Sequence, residues 1–189
     1  MSPRPKVGLE INEILEAAGE IADVHGMREV TLANLAKRLN IRPPSLYNHF
    51  EGLGGLRKKM AIYGIDLLYK EMAYEAVGVS GEAAVLAISK AYVEFARKHP
   101  GLYEATLLAP DMEDEDVQQA GAKIVELSVR VLQAFDLQGE RALHAVRGFR
   151  SILHGFSSLE QSGGFKMALD LDESLEIIIK AFIKGMRDG

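Results

Sequence analysis

The chain has 189 residues, 48% hydrophobic and 26% charged, which excludes wholesale disorder and predicts one compact domain or two small ones. It has no cysteine, which excludes a disulfide framework, a thiolate nucleophile and a cysteine-based zinc site, and suits a reducing cytosol. The net charge of −5 is uneven: residues 27–60 hold seven Lys/Arg against two Asp/Glu, and residues 61–189 hold thirteen against twenty.

A basic segment early in an acidic chain suggests a small polyanion-binding module on an acidic body. No apolar run approaches the roughly 18 residues that span a bilayer, so no membrane partner is expected. The start, Met1-Ser2-Pro3-Arg4-Pro5-Lys6, has no apolar stretch behind it and does not read as a secretory signal.

From Leu9 to Val24, the apolar positions Ile11, Ile14, Leu15, Ala18, Ile21 and Ala22 keep the spacing of one helical face, and Gly26 ends it. Thr31 is placed as the N-cap of a two-turn helix carrying Leu32, Leu35, Ala36 and Leu39. Asn40-Ile41-Arg42-Pro43 breaks the pattern, and Pro44 suits the first position of a short helix reaching about Phe50. Glu51–Gly55 reads as a flexible joint before a longer helix with Leu56, Met60, Tyr63 and Leu67 on one stripe.

After a break at Gly78–Gly81, Ala84–Lys98 is predicted helical and stopped by His99-Pro100-Gly101. A short helix, Leu102–Leu108, is ended by Pro110. The acidic run Asp111–Asp116 suits the positive end of the next helix dipole, and lacks the glycine and distal glutamate of a calcium loop. Two helices, Glu140–Gln161 and Asp172–Arg187, close the chain. The last is apolar around most of its cylinder, which predicts a second buried face against another copy of the chain. No alternating strand, repeat or low-complexity tract appears, so the fold class is all-α.

Thr31–Phe50 carries the function. A short capped helix, a turn of about four residues and a second short helix have the spacing of a helix-turn-helix, whose second helix enters the major groove. Leu35, Ala36, Leu39, Ile41 and Leu46 can pack the pair together. Ser45, Tyr47, Asn48 and His49 leave polar atoms on the outer face, Asn being suited to a base edge and Ser, Tyr and His to phosphates.

On these residues the chain resembles the tetracycline-repressor-like (TetR) family of bacterial transcriptional regulators. The matching string is Ile14-Leu15-Glu16-Ala17-Ala18, Gly26, Val30-Thr31-Leu32, Leu35-Ala36, Leu39, Ile41 and Pro44-Ser45-Leu46-Tyr47-Asn48-His49-Phe50. The resemblance implies a three-helix DNA-binding domain over residues 1–55 and a helical effector-binding and dimerisation domain over 56–189. It implies phosphate contacts from Thr31, Tyr47 and His49, groove-facing Pro44, Ser45 and Asn48, and Arg42 on the turn. Arg4 and Lys6 would form a basic arm on DNA, and Phe50 would be core. The family usually places a Lys after the small residue at Gly52; this chain has Leu53-Gly54-Gly55, which leaves Lys58 as the substitute.

The weaker C-terminal resemblance rests on Phe95-Ala96-Arg97-Lys98-His99-Pro100-Gly101-Leu102-Tyr103 and Leu153-His154-Gly155-Phe156. A family-type effector pocket would be lined from Tyr63, Leu67, Tyr92, Phe95, Tyr103, Phe149, Leu153 and His154. Leu175, Ile178, Ile179, Phe182, Ile183 and Met186, with Arg150 at the rim, are the expected dimer surface. The histidines form no i,i+4 ligand pair, and no phosphate loop or Gly-x-Ser-x-Gly nucleophile motif occurs, so no metal, cofactor or catalytic residue is expected. The expected partners are operator DNA, a small-molecule effector and a second copy of the chain, in the cytoplasm; an all-helical enzyme or carrier is the alternative class.

Overall fold

A computed structural model of the chain describes residues 10–109, 111 and 113–188. Among these no strand occurs, and the fold is all-α. The helices are α1 (Ile11–His25), α2 (Leu32–Arg38), α3 (Gly52–Glu75), α4 (Gly81–Lys98), α5 (Pro100–Leu107), α6 (Glu115–Leu132), α7 (Gly139–Gln161) and α8 (Leu171–Asp188), with a short 3₁₀ helix at Pro43–Asn48. No helix of the described residues is long and apolar enough to cross a membrane. Arg4 and Lys6, and Pro110 as a helix terminator, lie outside the described residues.

The chain packs as two compact units interleaved in sequence. One takes residues up to 64 and 99–117; the other takes 65–98 and 118 onward.

In the first unit, α1 buries Ile14, Leu15, Ala18, Ile21 and Ala22 and ends at Gly26, whose N–H donates to the Ala22 carbonyl at 2.8 Å. Its partner is α5, and the contact is backbone to backbone. A Cβ on Gly101 would lie 2.1 Å from the carbonyl carbon of Ala22. Asp23, in the last turn of α1, caps α5: Oδ1 accepts the N–H groups of Gly101 and Leu102, each at 2.9 Å, and Oδ2 lies 3.0 Å from Nδ1 of His99. His99-Pro100-Gly101 therefore opens a helix rather than only closing the previous one. Proline fits the first turn, where its missing N–H has no partner to lose.

The expected loose joint at Glu51–Gly55 is also different: α3 is already helical from Gly52 through Gly54 and Gly55. Each interior glycine costs about 1 kcal/mol relative to Ala. Full burial of Leu56, Met60 and Ala61 on the same helix offsets that cost.

In the second unit, α4 packs on α7 and α8. Ile88, Tyr92 and Phe95 of α4, Phe149 and Leu153 of α7, and Leu175, Ile179 and Ile183 of α8 are all buried. Phe149 stacks on Phe182 with ring centroids 5.9 Å apart. Arg97 ties the three helices at one end, reaching Glu94 at 2.6 Å, Asp172 at 2.7 Å and Glu160 at 2.8 Å.

Gly101→Ala is expected to lose at least about 3 kcal/mol of stability in urea unfolding, because two backbones must separate to admit the methyl group. Gly121→Ala, in open space on α6, is expected to gain about 0.4–1 kcal/mol in the same measurement.

Candidate nucleic-acid interface

The helix-turn-helix is built from caps and buried anchors. Thr31 holds extended backbone, and its Oγ1 accepts the Asn34 N–H at 3.1 Å, the N-cap arrangement expected from the sequence. The far end of α2 closes with Asn40 at φ 53°, a left-handed conformation that asparagine tolerates. The Ile41 N–H then donates to the Ala36 carbonyl at 3.0 Å and the Asn40 N–H to that of Lys37 at 3.2 Å. These bonds satisfy the last carbonyls and turn the chain sharply into the second helix. Asn40 was readable only as a break in pattern, although Asn before an apolar residue is a signal for this closure.

The second helix is a six-residue 3₁₀ turn rather than an α-helix, with Arg42 at its N-cap and Pro43, not Pro44, at its first position. Proline fits these first positions, where a missing N–H has no partner to lose, and a run of only six residues is typical of 3₁₀ geometry. Leu46 is fully buried and Phe50 nearly so. These two side chains, with buried Leu35 and Ala36, hold the segment against α2.

Anchoring leaves the opposite face to solvent. Arg42, Pro44, Ser45, Tyr47 and Asn48 are exposed, Tyr47 at 61%, while His49 and Thr31 are half-buried. An exposed tyrosine beside an exposed asparagine presents one hydroxyl and one amide on a rigid base. Lys37, Arg42 and Lys59 have no ion-pair partner among the described residues.

Lys58 is different. Its Nζ sits 2.6 Å from Oδ2 of Asp114 and 2.9 Å from Oδ2 of Asp116, and these hydrogen bonds hold its ammonium pKa well above the ordinary range. The hydrogen bond from Lys58 in turn holds the Asp114 carboxyl below its usual value. The substitute phosphate contact is therefore already occupied by carboxylates.

The eight residues expected around an effector divide between the units. Tyr63 and Tyr103 belong to the first; Leu67, Tyr92, Phe95, Phe149, Leu153 and His154 belong to the second. Tyr103, Tyr92, Phe95, Phe149 and Leu153 are buried, and Tyr63, Leu67 and His154 are half-buried. Burial pushes the Tyr63 hydroxyl pKa up, with Glu16 adding to the effect. The second unit also carries an open cleft of about 820 Å³ between α3 and α4, with Leu86, Ala87 and Ala91 on its floor and Lys70, Tyr74 and Lys90 around it. Nothing in the periodicity distinguished these residues from an ordinary solvated face.

Of the residues expected at a dimer surface, Leu175, Ile179 and Ile183 are buried within the chain. Phe182 and Met186 are half-buried, and Arg150 and Ile178 are exposed. Ile177, which the sequence places on the widened apolar surface of this helix but not in the expected dimer set, is 60% exposed. The apolar excess of α8 thus has two faces, one already used by the chain's own core. Among the described residues no cluster of His, Asp or Glu could hold a metal ion.

Thr31→Ala removes the cap of α2 and is expected to cost about 1 kcal/mol, read from the shift of the urea midpoint at unchanged slope.

Residues 14–57 match the family described as bacterial regulatory proteins, tetR family, and residues 85–182 match the tetracyclin repressor-like C-terminal domain. The HTH-type transcriptional regulator YobS of Bacillus subtilis (strain 168) is 40% identical over 183 residues, covering 96% of this chain and 95% of that protein. Two solved structures share the fold. One is BioQ with its double-stranded DNA operator (TM-score 0.70, 19% identity, 96% of this chain and 99% of that one). The other is a TetR variant from Acinetobacter baumannii AYE in complex with minocycline (TM-score 0.69, 20% identity, 95% and 97%). A capped helix-turn-helix with an exposed polar face, and a match that runs nearly end to end, lead to one conclusion: the chain belongs to the TetR family of helix-turn-helix transcriptional regulators.

Proposed function

We propose that the protein is a cytoplasmic, homodimeric repressor that binds a specific operator and leaves it when a small molecule binds, and that it has no enzymatic activity. The observation that carries this reading is the exposed Tyr47–Asn48 pair, fixed from beneath by buried Leu46 and Phe50. Asn48 reads a base edge, and Thr31, Tyr47 and His49 hold phosphates, with Pro44 and Ser45 toward the groove and Arg42 beside it.

Residues 1–55 supply the DNA contacts, including the arm with Arg4 and Lys6. Residues 56–189 supply pairing and effector binding. BioQ with its operator and the Acinetobacter protein with minocycline support the two halves of this reading by fold. Pairing uses the outer face of α8, through Ile177, Ile178 and Phe182, together with Arg150 of α7. The effector acts by population shift. It favours a state in which the two reading helices no longer match half-sites about 34–36 Å apart.

Gel shift against the DNA upstream of the protein's own gene tests the reading; an intact dimer that binds no such fragment at low salt overturns it. Asn48→Ala is expected to weaken operator binding by about 1–3 kcal/mol and to relax discrimination at one base pair, with no change in thermal stability. Ile178→Lys is expected to convert the dimer to monomer in sedimentation and to weaken operator binding with it; a dimer that persists unchanged removes α8 from the interface.

A further inference from the structure

In sequence, the DNA-reading segment is basic. In space, it is not. The described part of the first unit, 10–64 with 99–117, holds seven Lys/Arg and thirteen Asp/Glu, a net charge of −6. Glu10, Glu13, Glu16, Glu20 and Asp23 bring residues 10–64 to neutrality, and residues 99–117 then add six carboxylates and no Lys or Arg. Five of the six lie in the run Asp111, Glu113, Asp114, Glu115 and Asp116.

That run is pinned by Lys58, which lies in the second turn of α3. Asp114 is held from both sides: Oδ2 meets Lys58, and Oδ1 accepts the N–H groups of Asp116 at 3.0 Å and Val117 at 3.4 Å, capping α6. Lys58 is six residues beyond Gly52, about 9 Å along the helix axis from the start of α3. Exposed charges farther apart than the Debye length of about 8 Å are largely screened at physiological ionic strength, so the run acts through Lys58, which it holds directly, and on more distant cations only at low salt.

We propose that Asp114 and Asp116 act as internal stand-ins for DNA phosphate. They engage the Lys58 ammonium and hold an acidic run in the same compact unit as the reading segment, and so act as a brake on DNA affinity. Lys58 is withdrawn from the phosphate backbone, and the remaining carboxylates repel it. Non-specific binding depends almost wholly on phosphate neutralisation, so the brake lowers it most and raises the ratio of specific to non-specific binding. The capped turn is also the first turn of α6, which continues to Leu132 in the second unit.

The proposal rests on the DNA-binding reading above. It is tested with the full chain and a random-sequence duplex, by fluorescence anisotropy between about 50 and 200 mM salt. Asp114→Asn with Asp116→Asn removes both charges and keeps the cap, since Asn caps as well as Asp. The expected result is tighter binding and a salt dependence steeper by about one phosphate, so that affinity falls about 3.5-fold more across that range than for the unaltered protein. Adding Lys58→Met to this pair is expected to return the slope to its starting value.

Unchanged or weaker binding, or an unchanged slope, overturns the brake. If the double variant melts early by circular dichroism, Asp116→Asn alone is read instead: it removes one charge from an exposed residue that does not cap, Lys58 stays on Asp114, and tighter random-duplex binding with an unchanged slope is expected, while unchanged or weaker binding overturns the brake. Binding by the unaltered protein without a gain in the variants sinks the brake and leaves the regulator reading standing. Failure of both to bind any duplex sinks both.

Discussion

The first unit depends on the approach of α5 to α1. Gly101 lets two backbones touch, and Asp23 fills the space beside them with a carboxylate that accepts three donors from the start of α5. A carboxylate at a helix N-terminus satisfies orphan N–H groups and meets the positive end of the dipole. The consequence is topological. A helix encoded in the middle of the chain is committed to the same compact unit as the DNA-reading segment.

The reading segment itself is stabilised from one side only. Buried Leu35, Ala36, Leu46 and Phe50 anchor it, the Thr31 cap starts it, and left-handed Asn40 turns it. With no second layer on its outer face, Tyr47 and Asn48 remain in solvent on a rigid support. A side chain so held loses less freedom on contact with DNA, and less of the binding energy goes into ordering it.

The second unit solves a different problem, how to bury one face of α8, which is less apolar all round than its isoleucines suggest: Glu173, Glu176, Lys180 and Lys184 form a charged stripe along it. Leu175, Ile179 and Ile183 recur every four residues and are buried within the chain. Ile177 and Ile178 fall off that stripe and stay exposed. The Arg97 cluster fixes the start of α8 against α4 and α7 through three carboxylates. Burial alone would lower the Arg97 pKa; the hydrogen bonds to Glu160, Glu94 and Asp172 raise it well beyond its ordinary value. The guanidinium is charged at any relevant pH.

The sequence by itself determined the all-α class, the helix-turn-helix and its family, because those follow from local spacing, a cap and a compact motif that every member of a short segment serves. Helix positions were legible to within a few residues for the same reason. The tertiary structure alone decided the rest. It made His99-Pro100-Gly101 a helix start, because only the Asp23 carboxylate on another helix supplies the cap. It ran α3 through Gly54-Gly55, because burial beyond the glycines outweighs their entropy. It split the apolar surface of α8 into an inner and an outer face. It also made the unit around the DNA-reading segment acidic, by folding a distant acidic run onto Lys58 where α1 had already balanced the basic residues. Charge, unlike helical periodicity, acts through space, and no window along the chain contains residues 58 and 114 together.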